Sequence, residues 1–207
     1  VPSGTYNSVI NFGEGDLGGG ANTTRIQIAN SASFALSGNF AYEAWIYRTS
    51  TATGQPAIFG DDNDGERISL RTDVAGSDCF TLAIADTGGG WWTSGTRGAA
   101  KGGTTAGTGS DYDSVLGINN NQWYHIALYT EGSPRDTLKL AVNGETWINV
   151  GGFTHTPRAA TTHLNIGSWY DGLWSWCGFM DNVKIYVGYA ANSYDPVREY
   201  VNARDNN

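Results

Sequence analysis

The chain has 207 residues, with 12 Lys and Arg against 20 Asp and Glu, so its net charge is −8. One all-β unit of this length can bury a sizeable core without disulfides or metals; the acidity, with no Lys/Arg cluster, excludes a nucleic-acid surface and disfavours anionic lipid. Its 29 glycines come with 8 Trp, 11 Tyr and 7 Phe, an apolar load that disordered chains lack. Strands are expected near 8–12, 25–29, 39–47 and 57–60. Period-two alternation marks Ile68 and Leu70, then Phe80, Leu82 and Ile84, as half-buried strands. Segment 86–121 breaks this rhythm with Gly88-Gly89-Gly90, Trp91-Trp92 and Lys101-Gly102-Gly103, and reads as a long functional or disordered loop. Strands resume at 122–130, at Leu138, Leu140 and Val142, and at 145–150, 162–167 and 178–187. Asn143-Gly144 between two apolar runs is the strongest hairpin signal. A short helix is expected over 194–204. No run of 18 apolar residues exists, so no transmembrane helix is expected. Many short strands without βαβ alternation predict one sandwich or barrel domain spanning 1–207. The first residue is not Met and no signal peptide is visible, which suggests a processed product or an excised domain.

Six blocks in order carry a resemblance: Ser8 to Gly13, Phe40 to Tyr47, Asn121 to Leu128, Leu138 to Gly144, Leu164 to Gly167 and Gly178 to Tyr186. Together they resemble the laminin-G-like, concanavalin A-like jelly-roll modules, over a core of about 8–190 with a C-terminal extension at 191–207. Val187-Gly188-Tyr189-Ala190, followed by Tyr194 and Pro196, is most similar to variants in bacteriophage structural and fibre proteins. The resemblance implies an antiparallel jelly-roll sandwich, often calcium-bound, glycan-binding or adhesive, and often without catalytic activity. Fold alone does not fix function.

Catalytic strings are missing. Glycosidases of this fold space their carboxylates closely on one strand, whereas Glu43 stands alone on its strand. There is no Gly-x-Ser-x-Gly elbow, no His-Glu-x-x-His and no phosphate-binding loop. The three histidines are scattered, and His125 reads as a packed sheet residue. The chain is therefore expected not to be an enzyme. Strand parity puts Phe179, Asp181, Val183 and Ile185 on one face, which turns Asp181 inward. A buried carboxylate must be paired or bind metal. The resemblance brings the first and last strands together, so Glu14 and Asp16 could join Asp181 around Ca²⁺, which takes several oxygens; a carboxylate capped by backbone N–H groups is the equal alternative. Asp61, Asp62 and Asp64 form a second carboxylate cluster that reads either as a metal site or as a polar hairpin turn.

Aromatic loops carry the binding expectation. Trp169, Tyr170, Asp171 and Trp174 fall near a Gly-containing turn together with Trp176, while Trp91 and Trp92 sit in the long loop. Rings stack on the C–H faces of sugars, and neighbouring polar groups bind hydroxyls. The same rings also suit a subunit interface or intramolecular packing. Two readings stay open: a calcium-stabilised carbohydrate-binding module at an extracellular or virion surface, or a structural domain of a phage particle that works through contacts with a neighbouring subunit, as in a homo-oligomer.

Overall fold

Alternate residues of each strand-forming segment face opposite ways, and burial of one apolar set per strand stacks the segments into two layers. The computed structural model describes residues 9–13, 24–29, 38–49, 57–61, 67–72, 78–85, 91–93, 119–132, 137–151, 163–168, 175–190 and 192–205. Its strands are β1 (Ile10–Asn11), β2 (Ile26–Ala29), β3 (Asn39–Arg48), β4 (Ala57–Asp61), β5 (Arg67–Thr72), β6 (Asp78–Ala85), β7 (Trp91–Thr93), β8 (Trp123–Glu131), β9 (Thr137–Val142), β10 (Glu145–Gly151), β11 (His163–Ile166) and β12 (Gly178–Tyr189). One helix, α1 (Pro196–Asp205), follows. Sheet I has the order β1-β12-β3-β8-β9-β10 and sheet II the order β2-β11-β4-β5-β6-β7. Every described pairing is antiparallel. This is the expected all-β antiparallel jelly-roll sandwich.

The core lies between the sheets. Phe40, Tyr42, Ala44 and Ile46 of β3, Ile126 and Leu128 of β8, and Leu140 of β9 meet Ile58, Phe59, Leu164 and Ile166 of sheet II. Burying each large apolar side chain contributes about 1.5–3 kcal/mol. Trp176, expected in the aromatic loop, is instead fully buried in this core. β3 and β8 are buried on both faces. On the outer one, Ala41, Glu43, Trp45, His125, Ala127 and Tyr129 are all below a tenth exposed. The segment after β12 covers them.

Two sequence signals determine how that cover sits. Asn143 and Gly144, at φ 52 and 79°, make the two-residue turn between β9 and β10, the left-handed pair a hairpin twist requires. Asp195 then caps α1: its Oδ1 accepts the N–H groups of Val197 and Arg198 at 3.0 and 3.2 Å, and Pro196 takes the first helical position, where a missing N–H costs nothing. Gly144 packs so closely under α1 that a Cβ there would stand 3.3 Å from Tyr200 Cδ1 and Val197 Cα.

Of the segment read as a long loop, 86–121, residues 86–90 and 94–118 lie outside the described residues, and 91–93 depart from that reading. Trp91–Thr93 is a strand, paired with Ala83 to Ala85 at the edge of sheet II. The flanking Gly88-Gly89-Gly90 hid a short strand that only its neighbour defines.

Gly178 opens β12 at φ 132°, and a Cβ there would overlap the carbonyl oxygen of Tyr47. Gly188 has φ 71° with open space around it. Gly178→Ala is therefore expected to cost more than about 2 kcal/mol through backbone displacement, and Gly188→Ala only about 1–2 kcal/mol of left-handed strain. Urea unfolding of both variants checks the order; equal losses would contradict it.

Candidate functional site

The outer face of sheet I is built in rows, because β12, β3 and β8 lie side by side in register. The first row is Tyr186, Ala41 and Tyr129. Tyr194 closes over it, with its ring 5.0 Å from Tyr129 and 5.7 Å from Tyr186 and Tyr189. The second row is Lys184, Glu43 and Ala127, and the third is Asp181, Trp45 and His125. The fourth is Phe179, Tyr47 and Trp123.

Glu43 is fully buried. Its Oε1 is 2.8 Å from Lys184 Nζ, and its Oε2 accepts the Tyr194 hydroxyl at 2.6 Å. Glu199 of α1 stands 3.8 Å from the same Lys184 nitrogen and accepts the Tyr186 hydroxyl at 3.3 Å. Burial works against the charge on Lys184, but the hydrogen bond and charge of Glu43 outweigh it and push the lysine up. Burial, then the charge of Glu43, pushes the Tyr194 hydroxyl far up, so it stays a donor. The result is one connected polar network between sheet and helix. Sequence reading had Glu43 alone on its strand, since its partners lie about 140 and 150 residues away.

His125 is 1% exposed, and neither ring nitrogen has a hydrogen-bond partner among the described residues. It packs against Trp45 at 5.5 Å and Tyr200 at 5.9 Å, while its backbone N–H donates to Asn143 Oδ1 at 2.9 Å. This is the packed sheet histidine expected from its alternation. Burial first, then the charge of Lys184, lowers its pKa to about 4, with Glu199 acting the other way.

The fourth row went unread in the sequence. Tyr47 pairs directly with Trp123 and with Phe179, at ring distances of 5.3 and 5.7 Å and interplanar angles of 53° and 61°. All three rings are half-buried. Asn11 pairs with Phe179 at one end, and Asn121 and Gln122 precede Trp123 at the other; all three amides are exposed. Three ring-bearing strands converge here only through register, which no single segment announces.

Asp181 requires a correction. Between Asp181 and Lys184 the register of β12 against β3 slips by one residue, with Asn182 at φ 49°. Inward parity therefore runs Met180, then Val183 and Ile185. Asp181 sits instead in the outer row beside Trp45, half-buried, and its Oδ1 accepts the Asn182 N–H at 2.7 Å. Asp61 ends β4, which pairs antiparallel with β5. Trp91 and Trp92 lie on β7. Glu14, Asp16, Asp62, Asp64, Trp169, Tyr170, Asp171 and Trp174, and the side chains of Asp61, Trp91 and Trp92, lie outside the described residues. Among the described residues no three His, Cys, Asp or Glu side chains converge as a metal-holding group, and no helix is long and apolar enough to cross a membrane.

A family model described as the concanavalin A-like lectin/glucanases superfamily matches residues 19–191. Domain 4 of AbnA, a GH43 extracellular arabinanase from Geobacillus stearothermophilus solved in complex with arabinotriose, is similar at TM-score 0.55 and 18% identity, over 84% of this chain and 71% of that one. The binding domain of botulinum neurotoxin serotype G is similar at TM-score 0.59 and 12% identity, over 97% and 46%. The binding domain of Paraclostridial Mosquitocidal Protein 1 gives 0.59 and 13%, over 95% and 47%. The chain thus spans under half the length of either toxin domain. No curated protein matches by sequence.

The buried histidine generates an acid response. Its folded pKa of about 4 lies below the ordinary 6.5, so in between the unfolded chain binds the extra proton. Stability is then complete above about pH 6.5 and falls as pH drops toward about 4, by up to about 3 kcal/mol for this one group. Denaturant unfolding across that range should show the loss, and His125→Gln should flatten the slope by about one proton. An unchanged slope would remove His125 as its source.

Proposed function

We propose, because the chain belongs to the concanavalin A-like lectin/glucanases superfamily, that it is a non-catalytic glycan-recognition module of an extracellular or virion surface. Glu43 carries the non-catalytic part. Glycoside hydrolysis needs two carboxylates flanking a sugar. Glu43 is fully buried, and it is held by Lys184 and Tyr194 beneath the residues leading into α1. Nothing the size of a sugar reaches it without displacing that cover. The glycan part is supported by the aromatic wealth of the chain, by Trp169, Tyr170, Asp171 and Trp174 in one stretch, and by the arabinotriose bound to a domain of the same fold. The rival reading, a phage structural domain that binds a neighbouring subunit and no sugar, predicts a different solution behaviour. A glycan array read beside light scattering separates them. Signal on the array from a monomer supports the proposal. A stable oligomer with no array signal overturns it.

Calcium belongs to the same proposal, on a narrower footing. Asp181 faces the outer side of sheet I and does not fit an inward ligand. Glu14 and Asp16, or the Asp61, Asp62 and Asp64 turn, would hold the ion through oxygens. An ion present at one hundred times its dissociation constant adds about 2.7 kcal/mol, so chelator should lower the melting temperature. Glu14→Gln with Asp16→Asn, or the matching amides at 61, 62 and 64, should abolish that response. A melting curve unmoved by chelator removes calcium from the reading.

A further inference from the structure

We infer that the fourth row of sheet I, Phe179, Tyr47 and Trp123, is a binding subsite for a single soluble chain of a neutral glycan. The inference rests on the glycan-recognition reading and gives it a place. α1 docks on the third row, with Tyr200 against Trp45 and His125 at 5.8 and 5.9 Å. The fourth row is the next one along the strands, and its rings keep part of their surface in solvent. Neighbouring strands are about 4.8 Å apart, so three rings on three strands form a track running across the sheet.

The chemistry around the track selects the ligand. Rings supply C–H contacts along its length, and exposed amides stand at both ends, Asn11 beside Phe179 and Asn121 with Gln122 beside Trp123. Asp181, two residues beyond Phe179 on the same face, adds an acceptor for hydroxyls. Arg48 is 98% buried, with Nε donating to Asn120 Oδ1 at 2.6 Å, and is not presented to the track. With a net charge of −8 on the whole chain, a polyanion is repelled. The 53° and 61° tilts between neighbouring rings make a ridged surface. A flat crystalline face cannot touch all three rings at once, whereas a single flexible chain can turn from ring to ring.

The probes are soluble arabinan, β-glucan and galactomannan, with polygalacturonate and crystalline cellulose as contrasts, tested on the whole chain by affinity electrophoresis and pull-down. The expected result is retention by at least one neutral soluble polymer and by neither contrast. Trp123→Thr and Tyr47→Thr should weaken that retention at least tenfold with an unchanged circular dichroism spectrum, and Trp123→Phe should keep most of it. Hydroxyl-radical footprinting of the unmodified protein needs no variant to fold. It should show protection of Tyr47, Trp123 and Phe179 when polymer is added. Retention with protection confined to Trp91 and Trp92 or to 169–174 overturns this subsite and leaves the glycan reading standing. Retention by polygalacturonate alone overturns the neutral class. Retention by none, on these probes and on the array, overturns both.

Discussion

One extra residue in β12 organises the outer face of sheet I. Asp181 pairs with Trp45 and Lys184 with Glu43, so three steps along β12 match two along β3. Asn182 absorbs the difference in a left-handed conformation, φ 49°, which Asn tolerates better than most residues. An unbroken strand would turn Lys184 into the apolar core and leave Glu43 buried without its cation. A second slip, at Gly188, does the same for Tyr189, which stays outside with its hydroxyl 2.6 Å from the Thr130 carbonyl oxygen. Both irregularities move a polar-tipped side chain from the inside of the sandwich to its outside.

The network so created is better understood as a positioning device than as a reservoir of stability. Desolvating two charges offsets most of their attraction, and a matched apolar pair often does as well. What the Glu43–Lys184 pair contributes is a single acceptable place for Tyr194 and Glu199, and hence for α1. An alternative docking of the helix would strand a buried carboxylate. The apolar contacts of Tyr200 with Trp45, and of α1 with the Asn143-Gly144 turn, then add area at a location already chosen. The tyrosine rings around Tyr194 extend that cover to the far end of the sheet.

Most strands and the Asn-Gly hairpin were legible because each is encoded locally, by alternation or by a turn dipeptide, whereas the terminal helix was placed without its Asp195 cap. The jelly-roll architecture followed from those blocks in order. The candidate sites were less legible, for two physical reasons. Parity arguments assume a continuous strand, and Asn182 breaks the strand in which Asp181 was read. Cross-strand constellations, the Glu43 network and the Phe179–Tyr47–Trp123 row alike, depend on which residues of distant segments pair, and period-two alternation carries no register between strands. The aromatic stretches picked out by density lie outside the described residues, apart from the β7 backbone and Trp176, which is core. Density found aromatics, and register found the row.

The placement of β3 has a consequence for vectorial synthesis. β3 precedes the other long strands described in this chain, yet it lies between β8 and β12, whose pairing residues begin about 75 and 130 positions later. Until β12 arrives, one edge of β3 is open, its inward face from Phe40 to Ile46 is apolar, and its outward face sets Glu43, still without Lys184, between Ala41 and Trp45. An exposed strand of this kind pairs readily with any other chain, and closure over so long a loop is slow. The nascent chain therefore passes through a long interval in which its central strand lacks a partner and is open to intermolecular association, and the arrival of β12 with α1 ends that interval in one step, by supplying both the missing edge and the missing cover.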